Sequence, residues 1–118
     1  MKSHNIGKES EKIACEYLKK NKFKILNQNW RSGRFGEIDL IVEDINTKEI
    51  VFVEVKSRKS SISDAKELVT QEKQTKLYKL AKSYLYLSKK HNVPCRFDVI
   101  AIKINDKVVE LEHIKNAF

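Results

Sequence analysis

With 118 residues, 41% of them apolar and 34% charged, the chain fits a single domain, residues 1–118, built on one modest core. It has no repeat or low-complexity segment, and its longest apolar runs are strand-sized, which excludes a membrane-spanning helix. The net charge of +8 is unevenly spread: residues 1–36 carry +6, 37–55 carry −5, 56–91 carry +7, and 92–118 balance. An acidic segment between two basic ones suits cations at its centre and a polyanion at its flanks, although lysine-rich helices are also simply soluble.

The N-terminal Met-Lys-Ser-His-Asn has no apolar signal core, so a cytoplasmic protein is expected. The spacing of Ile13, Ala14, Tyr17 and Leu18 predicts an amphipathic helix from Asn5 to Lys20, stopped by Asn21. Glu11 lies on the margin of that apolar stripe. It is either a solvated flank or a carboxylate reaching over a neighbouring sheet. Phe23 to Trp30 reads as a first strand, in which Trp30 either packs at the core rim or stacks on a base. Arg31-Ser-Gly-Arg-Phe-Gly36 then turns, with glycines that permit unusual backbone angles and two arginines, Arg31 and Arg34, that suit phosphate contact.

The stretch from Gly36 to Lys56 holds two β-branched runs around the polar turn Ile45-Asn-Thr-Lys48, the pattern of an antiparallel hairpin. A four-residue loop sets Asp44 opposite Glu49, and the same register sets Asp39 opposite Glu54, with Cβ atoms roughly 5 Å apart on one face. Strand alternation adds Lys56 to that face. Two facing carboxylates in an apolar hairpin repel, and the repulsion is relieved if one protonates, if a cation pairs with them, or if they hold a metal ion. Such a spacing suggests a metal site, and it depends wholly on the register.

Ser57 to Thr70 reads as an irregular basic loop containing Arg58 and Lys59, where a substrate clamp could sit. A second helix is expected from Gln71 to His91, with Leu77, Leu80, Ala81, Tyr84, Leu85 and Leu87 on its apolar side. Lys73, Lys76 and Lys79 form a basic band on it, solvated or facing phosphate. Pro94 ends this segment, and strands follow over Arg96 to Ile104 and Lys107 to His113. Asp98 beside Arg96 reads as a structural ion pair rather than a metal ligand. Cys15 and Cys95 read as small core residues, and His4, His91 and His113 lack ligand spacing. The order α-β-β-β-α-β-β implies an α/β fold, a mixed sheet flanked by helices.

Asp39 followed by Glu54-Val55-Lys56 resembles the Asp…Glu-X-Lys signature of the restriction-endonuclease-like superfamily. More closely, Gly36-Glu-Ile-Asp-Leu-Ile41, Val51-Phe-Val-Glu-Val-Lys-Ser-Arg58 and Arg96-Phe-Asp98 resemble blocks of the YraN-like family of small bacterial proteins, relatives of archaeal Holliday-junction resolvases. Glu11 with Ala14 and Tyr17-Leu18 resembles that family's first-helix block, and Lys73 matches a lysine of its second-helix block. Ile38 stands where the superfamily usually has proline. The resemblance covers roughly residues 7–110. It implies a restriction-endonuclease-like fold, Glu11 as part of the carboxylate set, and pairing of two sites in a homodimer.

Two functions compete. The first is metal-dependent hydrolysis of DNA phosphodiesters, in which Asp39, Glu54 and Glu11 ligate Mg²⁺, or Mn²⁺ in its place. Lys56 then neutralises charge on the phosphate or lowers the pKa of the attacking water. Arg31, Arg34, Arg58 and Lys73 contact the DNA backbone without reading bases. The second is a non-catalytic nucleic-acid-binding module with a vestigial nuclease site. A third, blander reading makes the charged residues fold-stabilising pairs on a soluble surface.

Overall fold

Strands apolar on both faces need cover on both sides, and the two helices supply it. The computed structural model describes residues 5–58, 69–106 and 108–118. Its elements are α1 (Asn5–Lys20), β1 (Phe23–Arg31), β2 (Glu37–Asp44), β3 (Ile50–Arg58), α2 (Gln71–Leu87), β4 (Cys95–Asn105) and β5 (Val108–Ile114). The sheet order is β1-β2-β3-β4-β5, with β3 and β4 parallel and the other pairs antiparallel. This is the mixed α/β sheet expected from the sequence. Ala14, Cys15 and Leu18 of α1 pack on Leu40, Val42, Val51, Val53, Ile100 and Ile102. Leu77, Leu80, Ala81 and Tyr84 of α2 pack on Ile38, Ile41, Phe52, Phe97 and Val99 from the other side.

The hairpin has the expected register. The Asp44 N–H bonds to the Glu49 carbonyl at 2.9 Å, and pairing runs on through Val42–Val51 to Leu40–Val53. Lys48 closes the loop with φ 67, and the Asp44 carboxylate takes the N–H groups of Asn46 and Thr47. Trp30 lies at the core rim, edge-on to Tyr84 with ring centroids 5.4 Å apart.

Several expectations are corrected. Helix α2 ends at Leu87, four residues before His91. A Schellman-type stop ends it: Lys89 (φ 59) donates to the Tyr86 carbonyl and Lys90 to that of Leu85. Leu87 is consequently exposed. Strand β3 continues to Arg58, Val69 joins the core under α2, and Thr70 caps α2, its hydroxyl accepting the Lys73 N–H at 3.1 Å. The remainder of the expected basic loop, including Lys59, lies outside the described residues. Cys95 is exposed rather than packed in the core, because β4 enters the sheet at its rim there, whereas Cys15 is buried.

Arg96 and Asp98 form the expected structural pair within a larger network. Arg96 bonds Asp98 through Nε at 3.0 Å and Nη2 at 3.2 Å, and its Nη1 reaches Asp44 at 3.1 Å and also Glu49. His113, expected to do nothing, lies 2.7 Å from Asp98 through Nε2 and 3.0 Å from the Tyr17 hydroxyl through Nδ1. Burial pushes the Asp98 carboxyl upward, but bonds from His113, Arg96 and the Asn116 N–H outweigh it and hold the group below its ordinary value.

Candidate metal centre

Strands β2 and β3 part company at Asp39. Continued pairing would give the Val55 N–H to the Ile38 carbonyl. Instead the Asp39 carboxylate takes that N–H at 2.8 Å. On the far side of this point β2 changes face: Leu40 and Val42 pack under α1, but Ile38 packs under α2. Strict alternation would keep Ile38 with Leu40. The Asp39 carboxylate therefore lies where the two strands fork.

Strand β1 is irregular nearby, opposite Ile41 and Val42. A bulge between Ile25 and Asn27 advances its register, so that Gln28 pairs with Leu40 and Trp30 with Ile38. Asn29, between them, lies opposite Asp39 and has φ 50, a left-handed backbone in the middle of a strand. Its side-chain amide donates to Glu11 Oε1 and to Glu37 Oε2, each at 3.0 Å. Glu37 also pairs with Arg31 at 3.0 Å. Carboxylate oxygens of Glu11, Glu37 and Asp39 thus gather within 4.8 Å of one another. Glu11 reaches this point from α1, over the sheet.

Glu54 is the fourth acid. It is buried, with Oε2 lying 3.5 Å from Lys56 Nζ and 3.8 Å from Lys73 Nζ. Its Oε1 is buried without a hydrogen-bond partner among the described residues. Burial and the nearby Glu54 carboxylate push the Asp39 pKa up to about 7; the Val55 N–H pulls against them, and Glu11 and Glu37 add to the rise. Such a site is under electrostatic load, which a bound divalent cation would relieve.

Of the residues expected from the sequence, Glu11 and Asp39 come together, and Lys56 and Lys73 meet at Glu54. Glu54 lies outside the group gathered within 4.8 Å, and Glu37 occupies the place expected for it. Glu37 was missed: it lies two residues from Asp39, but β2 changes face at Asp39, so alternation alone does not bring the two together. Asn29 was missed too, because its position depends on the bulge. Arg31 pairs with Glu37 while remaining exposed, and Arg34 and Arg58 are exposed as well. Asp98 belongs to the Arg96 network. An all-carboxylate group, with the unpartnered Glu54 Oε1 outside it, fits a hard divalent cation better than a thiophilic one.

The chain is 51% identical over 114 residues to a UPF0102 protein of Thermodesulfovibrio yellowstonii, covering 96% of this chain and 95% of that protein. Against a UPF0102 protein of Lawsonia intracellularis the identity is 43% over 119 residues, with 100% and 88% covered. A Clostridium botulinum UPF0102 protein gives 42% over 123 residues, with 100% and 98% covered. The matching family model, described as "Uncharacterised protein family UPF0102", spans residues 10–102, a range that takes in all four acids. The chain belongs to the UPF0102 family.

Proposed function

We propose that this protein is a metal-dependent endonuclease that hydrolyses DNA phosphodiester bonds, selecting its substrate by DNA structure, in repair or recombination. The observation that carries this reading is the convergence of Glu11, Glu37 and Asp39 beside a buried Glu54 with an unpartnered oxygen. These four acids would hold Mg²⁺ or Mn²⁺. A bound divalent cation supplies Lewis-acid activation of the phosphate and a more acidic water. Lys56 and Lys73, already at Glu54 Oε2, are positioned to transfer their charge to a phosphate oxygen as it arrives. Arg31, Arg34 and Arg58 would hold the neighbouring backbone phosphates without reading bases.

The test is cleavage of branched, flapped, single-stranded and duplex DNA in Mg²⁺, Mn²⁺ or EDTA. Asp39→Asn and Glu54→Gln are expected to reduce cutting at least about 100-fold while keeping DNA affinity. Full activity in either variant refutes the site. The rival, a non-catalytic nucleic-acid-binding module, draws support from cations that already neutralise Glu37 and Glu54 from within. It predicts salt-sensitive binding with no turnover in any metal.

A further inference from the structure

Phe35 is the most exposed large apolar side chain among the described residues, at 73%. Single exposed apolar residues are ordinary on protein surfaces. The surroundings of this one are not. It sits in the β1–β2 turn, where its N–H bonds to the Ser32 carbonyl at 3.3 Å. Gly33 (φ 58) and Gly36 (φ 127) give the turn a shape that other residues rarely adopt. At Gly36 the chain runs beside α2, where an added Cβ would lie 3.9 Å from Leu80 Cδ1. The turn thus passes Leu80 of α2 at Gly36, while residues 33–36 are exposed and the ring of Phe35 faces water.

Its neighbours all suit nucleic acid. Arg34 is exposed beside it, and Arg31 presents its guanidinium over Glu37. Glu37 is two residues further along the chain, so the two Cα atoms lie at most about 7 Å apart. An aromatic face, two guanidinium groups and the acidic group thus fall within one or two nucleotides of each other. Tyr86 and Leu87 are comparably exposed, but they sit at the C-terminal end of α2, away from Lys73 in its first turn.

We propose that Phe35 stacks on an unpaired DNA base next to the phosphate engaged at the acidic group, so that the preferred substrate is DNA at a branch between paired and unpaired strands. This rests on the nuclease reading above and names its substrate class. Bases inside a continuous duplex are covered on both faces by their neighbours, whereas the first unpaired base at a fork offers a free face. Stacking on an aromatic side chain tolerates any base, which agrees with selection by structure rather than sequence.

The experiment compares wild type, Phe35→Ala and Phe35→Tyr in EDTA, so that binding is read without cleavage. The probes are a forked duplex with 2-aminopurine at the first unpaired position and a continuous duplex of the same length. Phe35→Ala is expected to bind the fork about tenfold more weakly and the duplex as well as wild type does. Binding of wild type and Phe35→Tyr should change 2-aminopurine emission, and Phe35→Ala should not. Equal binding of the fork by wild type and Phe35→Ala overturns the stacking role alone, as does an equal loss on both DNAs. If wild type binds neither DNA, the nuclease reading falls with it.

Discussion

The Asp39 carboxyl combines an ordinary residue with an unusual load. In the folded protein its pKa is about 7, whereas a free aspartate titrates at 3.8. The folded state therefore holds a proton that the unfolded chain has lost between these values, and stability falls as pH rises from about 4 to 7. Asp39→Asn removes the titrating group and keeps an oxygen for the Val55 N–H. In metal-free buffer at pH 8 it should stabilise the protein by on the order of 3 kcal/mol, several degrees in Tm. A lower Tm in that variant at pH 8 would contradict the assigned load. A metal ion must displace the same proton, so Mn²⁺ affinity of wild type should weaken about fivefold from pH 7 to pH 6. Calorimetric titrations at pH 6 and 7 check this directly.

Among the elements, one side chain of β4 ties the hairpin turn to the sheet, beside the backbone pairing of β4 with β3. Arg96 reaches Asp98 on its own strand and Asp44 and Glu49 at the hairpin turn, and Asp98 passes the connection to His113 on β5. Truncating it strands buried acids. Arg96→Met is expected to cost about 3–5 kcal/mol in denaturant unfolding, as breaking one side of a buried ion pair does. The Asp98 pKa is held down in the folded state, so its contribution is present above about pH 4 and lost as acid protonates it. That acid sensitivity should shrink in Arg96→Met; an unchanged acid transition would show that Arg96 is not what holds Asp98 ionised. Element boundaries followed the sequence where periodicity set them, as in α1 and the hairpin. They departed from it where a backbone angle decided: Lys89 ends α2 in a left-handed conformation that more often belongs to glycine. The candidate site divides in the same way. Asp39, Glu54 and Lys56 were visible as polar residues in apolar strands, whereas Glu37 was missed because β2 changes face at Asp39. The fork at Asp39 and the turn of Asn29 towards Glu11 come from broken pairing and a bulge, which residue spacing does not reveal.

Over the whole molecule, the acidic middle segment is largely neutralised from within. Arg31, Lys56, Lys73 and Arg96 all point at its carboxylates. The surplus of +8 is consequently left to exposed lysines and arginines. A groove along α1 and β1 is lined by Lys8, Lys12 and Lys19 together with Glu11 and Glu16; under the proposed function its lysines would give a polyanion a path to the acidic group. Duplex affinity should then fall with salt at a log–log slope of about −5, and Lys12→Ala with Lys19→Ala should flatten it by about two. A slope unaffected by those changes would put the path elsewhere.

The irregularity of β1 near the fork in β2 has a practical corollary. Trp30, the one tryptophan in the chain, follows Asn29 directly and packs edge-on against Tyr84 on the opposite side of the sheet from Glu11. A half-buried fluorophore thus sits one peptide bond from the Asn29 that bonds Glu11 and Glu37, on the face of the sheet away from Glu11. Under the proposed function, an ion that shifts Asn29 should change the indole emission when Mg²⁺ is added to unlabelled wild-type protein, and unchanged emission would count against that coupling.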